Sequence, residues 1–199
     1  MPFVIRLRTI ALVLAALLLA ACADDPEFET RDISGAMPDL GFELERAPGE
    51  TVVTEEDFAG NVVALYFGFT HCPDYCPLTM AKIAGALDGM DDALAKDVTV
   101  LFVSVDPERD APDQLARYLS GFGEQFVGLR GERPALREIT RRYRTTFSHG
   151  EPDANGNYDV AHSTALFIFD RSGEIRLLAR EDVAVADLEN DLRILLEQG

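Results

Sequence analysis

Two stretches of this chain are apolar almost without interruption, and they limit the folds open to it. Asn61 to Phe69 runs through Val62-Val63-Ala64-Leu65-Tyr66-Phe67, and Val98 to Val105 through Val98-Thr99-Val100-Leu101-Phe102-Val103. Both have the length of a strand and are rich in β-branched and aromatic residues. They read as strands covered on both faces, not as the one-sided strands of an open sheet. Strands of that kind need helices on either side. The remaining pattern supplies them over about 77–87, 111–119, 134–147 and 185–196. In the third helix Leu136, Ile139 and Tyr143 share a face, and in the last Leu188, Leu192 and Leu195 or Leu196 point inward.

Shorter strands complete the set. Phe42-Glu43-Leu44-Glu45, a turn at Ala47-Pro48-Gly49, and Thr51-Val52-Val53 read as an N-terminal β-hairpin. Phe126 to Leu129 is a short strand, and Asp106-Pro107 ends the second apolar one. Gly150 to Asn157 is loop, with Asn155-Gly156 as its turn. Ser163 to Phe169 and Ile175 to Ala179 flank Asp170-Arg171-Ser172-Gly173 as an antiparallel pair. Strands that alternate with helices and then close on a hairpin describe an α/β sandwich with a mixed central sheet. A chain of 199 residues with 47% hydrophobic content has room for one such domain, expected over 37–199.

The start of the chain carries an address. Arg6 and Arg8 form a positive n-region, and the apolar run 10–21 is short for a bilayer span. It ends in Leu19-Ala20-Ala21-Cys22, similar to the bacterial lipobox, with cleavage before a cysteine that becomes lipidated. The expected division is a lipoprotein-type signal peptide over 1–21, a flexible polar tether over 22–36 from Cys22, and the domain beyond. The folded part is then exported and membrane-anchored, facing the periplasm or the cell exterior. In that compartment disulfides persist and a thiol pair must be kept reduced. The net charge of −17 repels nucleic acid, so no nucleic-acid partner is expected.

With Cys22 assigned to the anchor, two of the three cysteines are free for chemistry. Cys72 and Cys76 lie in Phe67-Gly68-Phe69-Thr70-His71-Cys72-Pro73-Asp74-Tyr75-Cys76-Pro77, between the first apolar strand and a helix. Proline suits the first helical position, so the helix is expected to start at Pro77 with Cys76 at its N-cap. The unpaired N–H groups and positive dipole end there favour a thiolate. A C-x-x-x-C pair so placed forms a disulfide or holds a soft metal ion.

The run Tyr66 to Pro77 resembles the signature of the Sco/SenC proteins, thioredoxin-like copper chaperones of cytochrome c oxidase assembly. The likeness continues in order through Ser104-Val105-Asp106-Pro107-Glu108-Arg109-Asp110 and Tyr158-Asp159-Val160-Ala161-His162-Ser163, and covers essentially all of 40–199. It implies a thioredoxin-like fold and copper, as Cu(I), Cu(II) or both, held by Cys72, Cys76 and His162. It also implies the copper-bearing oxidase subunit as partner, with an upstream copper donor and a thiol reductant. Where the family usually has an acidic residue before the histidine, this chain has Ala161.

The chemistry of the residues agrees with the resemblance. Thiolates select Cu(I), and imidazole suits copper in either oxidation state. Two sulfurs and one nitrogen leave room for a partner's ligand to enter, whereas structural zinc is usually closed by four ligands. The loop before His162, rich in Gly, Asp and Asn, makes the third ligand removable. His71 points away from its neighbour Cys72 along an extended segment and is expected in a loop or packing role. His149 is expected to cap a helix C-terminus, and Tyr158 to lie in the core. Asp106 and Asp110 follow a strand end that should adjoin the cysteine loop. Asp106 is a candidate for supporting the ligands, with capping of the next helix as the competing role. A thiol-disulfide reductase acting through Cys72 and Cys76 on the oxidase copper-site cysteines is the alternative function. A peroxidase or redox sensor on the same fold is a third, but it needs a single activated thiolate.

Overall fold

A computed structural model of the protein describes residues 27–49 and 51–198. The expected signal peptide, Cys22 and the start of the expected tether lie outside the described residues. The first elements among the described residues are β1 (Arg31–Asp32), β2 (Glu43–Ala47), β3 (Thr51–Thr54) and a 3-10 turn at Glu55–Phe58. Then follow β4 (Val62–Gly68), α1 (Tyr75–Asp88), a short α2 (Asp92–Ala95), β5 (Val98–Ser104), α3 (Pro112–Ser120), β6 (Phe126–Arg130) and α4 (Arg133–Arg142). The rest is β7 (Phe147–His149), β8 (Val160–His162), β9 (Leu166–Phe169), β10 (Ile175–Ala179) and α5 (Val185–Gln198).

Among the described residues, eight strands form one mixed sheet in the order β1-β10-β9-β4-β5-β6-β2-β3. β4, β5 and β6 run parallel, while β9 lies antiparallel against β4 and β2 antiparallel against β6. The two apolar runs occupy the centre, and every residue of β4 and β5 is buried. Their side chains alternate between two cores. Val62, Ala64, Tyr66, Val98, Val100 and Phe102 join α1, α3 and α5 on one face. Val63, Leu65, Phe67, Leu101 and Val103 join Leu136, Ile139 and Tyr143 on the other. The expected α/β sandwich with a mixed sheet is therefore present, with its β2–β3 hairpin in the register Leu44 to Val53.

Several boundaries differ from expectation. α1 begins at Tyr75, not at Pro77, so Cys76 is inside the first turn and Asp74 occupies the N-cap position. The first four helical N–H groups lack intrahelical acceptors, and proline is tolerated at the third position as well as the first. α4 ends at Arg142 instead of continuing to Phe147. Arg144 adopts a positive φ of 50°, and the chain turns into β7, which pairs with β8 in a separate two-stranded ribbon. The tether expected over 22–36 is partly structured. β1 pairs with β10, and the buried Asp191 carboxylate accepts the Glu29 and Thr30 N–H groups at 2.8 Å and the Thr30 hydroxyl at 2.6 Å. Backbone pairing, this carboxylate, and Phe28 and Ile33 packed against the two cores hold the segment, and two isolated apolar residues leave no strand or helix period in the sequence.

Candidate metal centre

The central strands deliver the cysteine loop to the C-terminal edge of the sheet. β4 stops at Gly68, the segment 69–74 crosses that edge, and α1 returns beneath it. Asp110, fully buried, pins the crossing. Its carboxylate accepts the Thr70 hydroxyl at 2.6 Å and the Thr70 N–H at 3.1 Å. The Ser104 hydroxyl at the end of β5 donates at 2.6 Å to Asp110 Oδ2, the oxygen that also accepts the Thr70 N–H. Gln114 adds a donor to the Thr70 hydroxyl at 3.0 Å. Asp74 makes no side-chain cap, but the Cys76 N–H donates to the Cys72 sulfur at 3.4 Å. That contact satisfies one of the free donors of the helix end and draws the two sulfurs together.

The ribbon brings the third residue. His162 in β8 pairs with Phe147 of β7, and its ring stands edge-on to Tyr66 and Phe69, with centroids 6.0 and 5.6 Å away. His162 Nδ1 lies 2.8 Å from the Ser163 carbonyl oxygen and therefore carries the proton. Nε2 is left with its lone pair facing Cys76 Sγ at 3.5 Å. Fixing one ring nitrogen to a carbonyl so that the other is a ready ligand is the usual arrangement of a metal-binding imidazole. The ligand atoms of Cys72, Cys76 and His162 all lie within 4.8 Å of one another. A metal with bonds of about 2.0–2.3 Å to thiolate and imidazole would set three ligands roughly 3.5–4 Å apart, so small adjustments close the site.

The electrostatics differ from the sequence expectation at Cys76. Burial pushes its thiol well above the ordinary 9.0, and the neighbouring Cys72 adds to the rise. Desolvation overrides the favourable helix end, which leaves Cys76 a neutral thiol until a cation or a reaction partner arrives. Burial lowers the His162 pKa and keeps the imidazole neutral, as a ligand must be.

Asp106 does not touch the three residues. It is fully buried and bonds to Arg109 Nε at 2.5 Å and the Tyr158 hydroxyl at 2.6 Å. Arg109 lies 3.9 Å over the Tyr158 ring and donates to the Tyr158 carbonyl at 3.1 Å. His149 Nε2 is 3.5 Å from the same carboxylate. Asp106 thus ties the β7–β8 ribbon, and with it His162, to the end of β5. His149 is no helix cap: it sits in β7. Tyr158, expected in the core, lines a groove of about 410 Å³ together with Phe69, Pro73, Tyr75, Arg109 and Val160, and Cys72 and His162 open into it. Ala161 is exposed in the same wall. His71 stays outside the cluster, with Nδ1 at 3.2 Å from the Thr70 hydroxyl.

Comparison with known proteins agrees with this geometry. The SCO1/SenC family model matches residues 35–197. The human mitochondrial SCO1 homolog is 37% identical over 134 residues, which cover 67% of this chain and 44% of that one; the match thus spans less than half of that relative's length. The structure of Bradyrhizobium japonicum ScoI with copper bound superposes with a TM-score of 0.70 at 29% identity, covering 79% of this chain and 98% of that chain. Apo Sco1 from Thermus thermophilus gives a TM-score of 0.74 at 31% identity, covering 86% and 98%. These neighbours share the expected thioredoxin-like architecture.

Proposed function

Because the chain belongs to the SCO1/SenC family, we propose that it is a membrane-tethered copper chaperone that delivers copper to the binuclear copper centre of cytochrome c oxidase. The observation that carries this reading is the convergence of two sulfurs and one lone-pair imidazole nitrogen within 4.8 Å beside an open groove. Soft thiolates with one imidazole suit Cu(I), and a three-ligand site leaves one side of the metal open. Transfer then proceeds by ligand exchange. A partner's thiolate or imidazole enters from the groove, the His162 nitrogen leaves first as the ribbon moves, and the two sulfurs release last. Copper is the cargo, and no substrate bond is made or broken. In this reading Cys22 carries the lipid anchor, and an upstream donor and a reductant supply metal and electrons.

The unequal environments of the thiols favour a second reading, an extracytoplasmic thiol-disulfide reductase. Cys72 is partly accessible while Cys76 is buried, the arrangement of an attacking and a resolving sulfur. The Cys72 thiolate would attack a substrate disulfide, and Cys76 would displace the mixed disulfide. Two protein thiols become one disulfide as the substrate disulfide becomes two thiols. The experiment that separates these readings mixes the copper-loaded domain with the reduced, copper-free soluble domain of a copper-bearing oxidase subunit. Native mass spectrometry then counts copper on each. Copper should move while both proteins keep their thiols; no copper movement in this mixture, together with oxidation of Cys72 and Cys76 and release of two subunit thiols when the reduced, copper-free domain meets the disulfide form of the same subunit, would replace the chaperone reading by the reductase one.

A further inference from the structure

The wall of the metal centre behind Cys76 holds a buried hydroxyl without a proper partner. Tyr66 of β4 is fully buried, and its hydroxyl sits beside Thr79 and Cys76 but meets neither at hydrogen-bonding geometry. The ring cannot swing the hydroxyl elsewhere. It packs against Phe102 with centroids 6.0 Å apart and against the edge of His162 at the same separation. A polar group fixed in an apolar wall is costly unless some state of the protein satisfies it. The neighbouring sulfur defines that state. A neutral thiol is a weak acceptor, whereas a thiolate or a metal-bound thiolate is a strong one.

We propose that Tyr66 is a positioning residue of the metal centre, whose O–H donates to the Cys76 sulfur once that sulfur is a metal-bound thiolate. The bond holds Cys76 in place and withdraws electron density from the sulfur, so the hydroxyl tunes the metal–sulfur bond as well as the geometry. This proposal rests on the copper reading. It also explains why a tyrosine stands at a position that packing alone would fill with phenylalanine. A hydroxyl bonded only to Thr79 would have no effect on the metal.

The test compares the wild-type reduced domain with Tyr66→Phe, Thr79→Val and Tyr118→Phe. Tyr118 contributes another buried, unpartnered hydroxyl near the thiols, so it controls for the general polarity of the wall. The readouts are the thiolate-to-Cu(II) charge-transfer absorption directly after mixing with Cu(II), and Cu(I) affinity in competition with a chelator. In Tyr66→Phe the sulfur becomes a better electron donor, so the band should move to longer wavelength. Cu(I) affinity should fall by roughly tenfold, as for the loss of a hydrogen bond to a charged group. Resistance to urea should stay equal or rise, because an unpartnered hydroxyl is gone. A 3-fluorotyrosine at position 66, a stronger donor of the same shape, should move the band the opposite way. Thr79→Val and Tyr118→Phe should leave it in place. An unmoved band in Tyr66→Phe, or equal shifts in Tyr66→Phe and Tyr118→Phe, would overturn the proposal and leave the copper reading intact. Absence of any thiolate–copper band in the wild type would overturn the copper reading and this proposal with it.

Discussion

Gly68 shows how closely the fold is packed against the thiols. A Cβ at this position would lie 2.7 and 2.8 Å from two ring carbons of Phe102 and 2.9 Å from the Cys76 sulfur. All three distances are shorter than side chains tolerate, so Gly68→Ala forces a neighbour to move. None moves easily. Phe102 is fully buried among Tyr66 and Tyr118, and the Gly68 backbone accepts the Val105 N–H at 2.8 Å. Gly68 pairs with Ser104 and is not among the residues of positive φ, so the cost is one of packing and not of backbone conformation. Overpacking of this kind costs about 1–3 kcal/mol. With a urea m-value of about 1–3 kcal/mol/M, the midpoint should fall by roughly 1 M at unchanged slope. The Cys76 sulfur is the neighbour with most freedom, being at the start of a helix, and its displacement should weaken copper binding at least roughly tenfold, or about 1.4 kcal/mol. Urea unfolding of the metal-free domain and copper competition with a chelator measure the two effects. A midpoint within experimental error of wild type, together with unchanged copper affinity, would refute the packing of Gly68 against Cys76.

Other consequences follow from the same geometry. His162→Ala should weaken copper binding while leaving disulfide formation between Cys72 and Cys76 intact; undiminished copper affinity against a chelator would remove His162 from the site. The stability of the reduced, metal-free domain should fall on both sides of neutrality. The lowered His162 pKa means that the unfolded chain binds more protons as pH drops below the ordinary 6.5, so stability is lost toward acid. The raised Cys76 pKa means that the folded chain holds its proton as pH climbs past the ordinary 9.0, so stability is lost toward alkali. Urea midpoints across pH 5.5 to 10 check this, and His162→Gln should flatten the limb below neutrality while Cys76→Ser flattens the alkaline one. Cys22→Ser should leave an unprocessed precursor or release the protein from the membrane fraction; normal processing and membrane retention would rule out the lipid anchor.

What the sequence disclosed follows from where each interaction lies along the chain. β4 and β5 were legible because a strand buried on both faces is apolar throughout, and the β2–β3 hairpin because the turn Ala47-Pro48-Gly49 separates two short strand-like segments. α1 was placed but started late, since a proline is compatible with any position of a first helical turn. The β7–β8 ribbon was not legible: each strand has three residues and no alternation to mark it. With β7 hidden, α4 was read through to Phe147 and His149 was read as its cap. At the site, Cys72 and Cys76 stood out because their relation is local. His162 came from the family resemblance, because only the fold carries it to Cys76. Asp110 was placed beside the cysteine loop without a partner, since Thr70 lies 40 positions away, and Tyr158 was missed as a site residue because its partner Asp106 lies 52 positions away. Two acidic residues closing an otherwise apolar strand at Asp106 and Asp110 were the available signal, and capping explained them equally well.

The central claim is that two thiolates hold the cargo, so copper loading must follow the redox state of the pair. Oxidation joins Cys72 to Cys76, and a disulfide offers no thiolate, which leaves His162 as the sole strong ligand of the set. A lone imidazole holds copper poorly beside a site with two thiolates. The direct measurement is an anaerobic copper titration of the fully reduced and the disulfide forms under identical conditions, with bound metal counted by mass spectrometry. The reduced domain should bind one copper tightly and the oxidised domain little. Equal stoichiometry and affinity in the two forms would contradict the assignment of Cys72 and Cys76 as ligands.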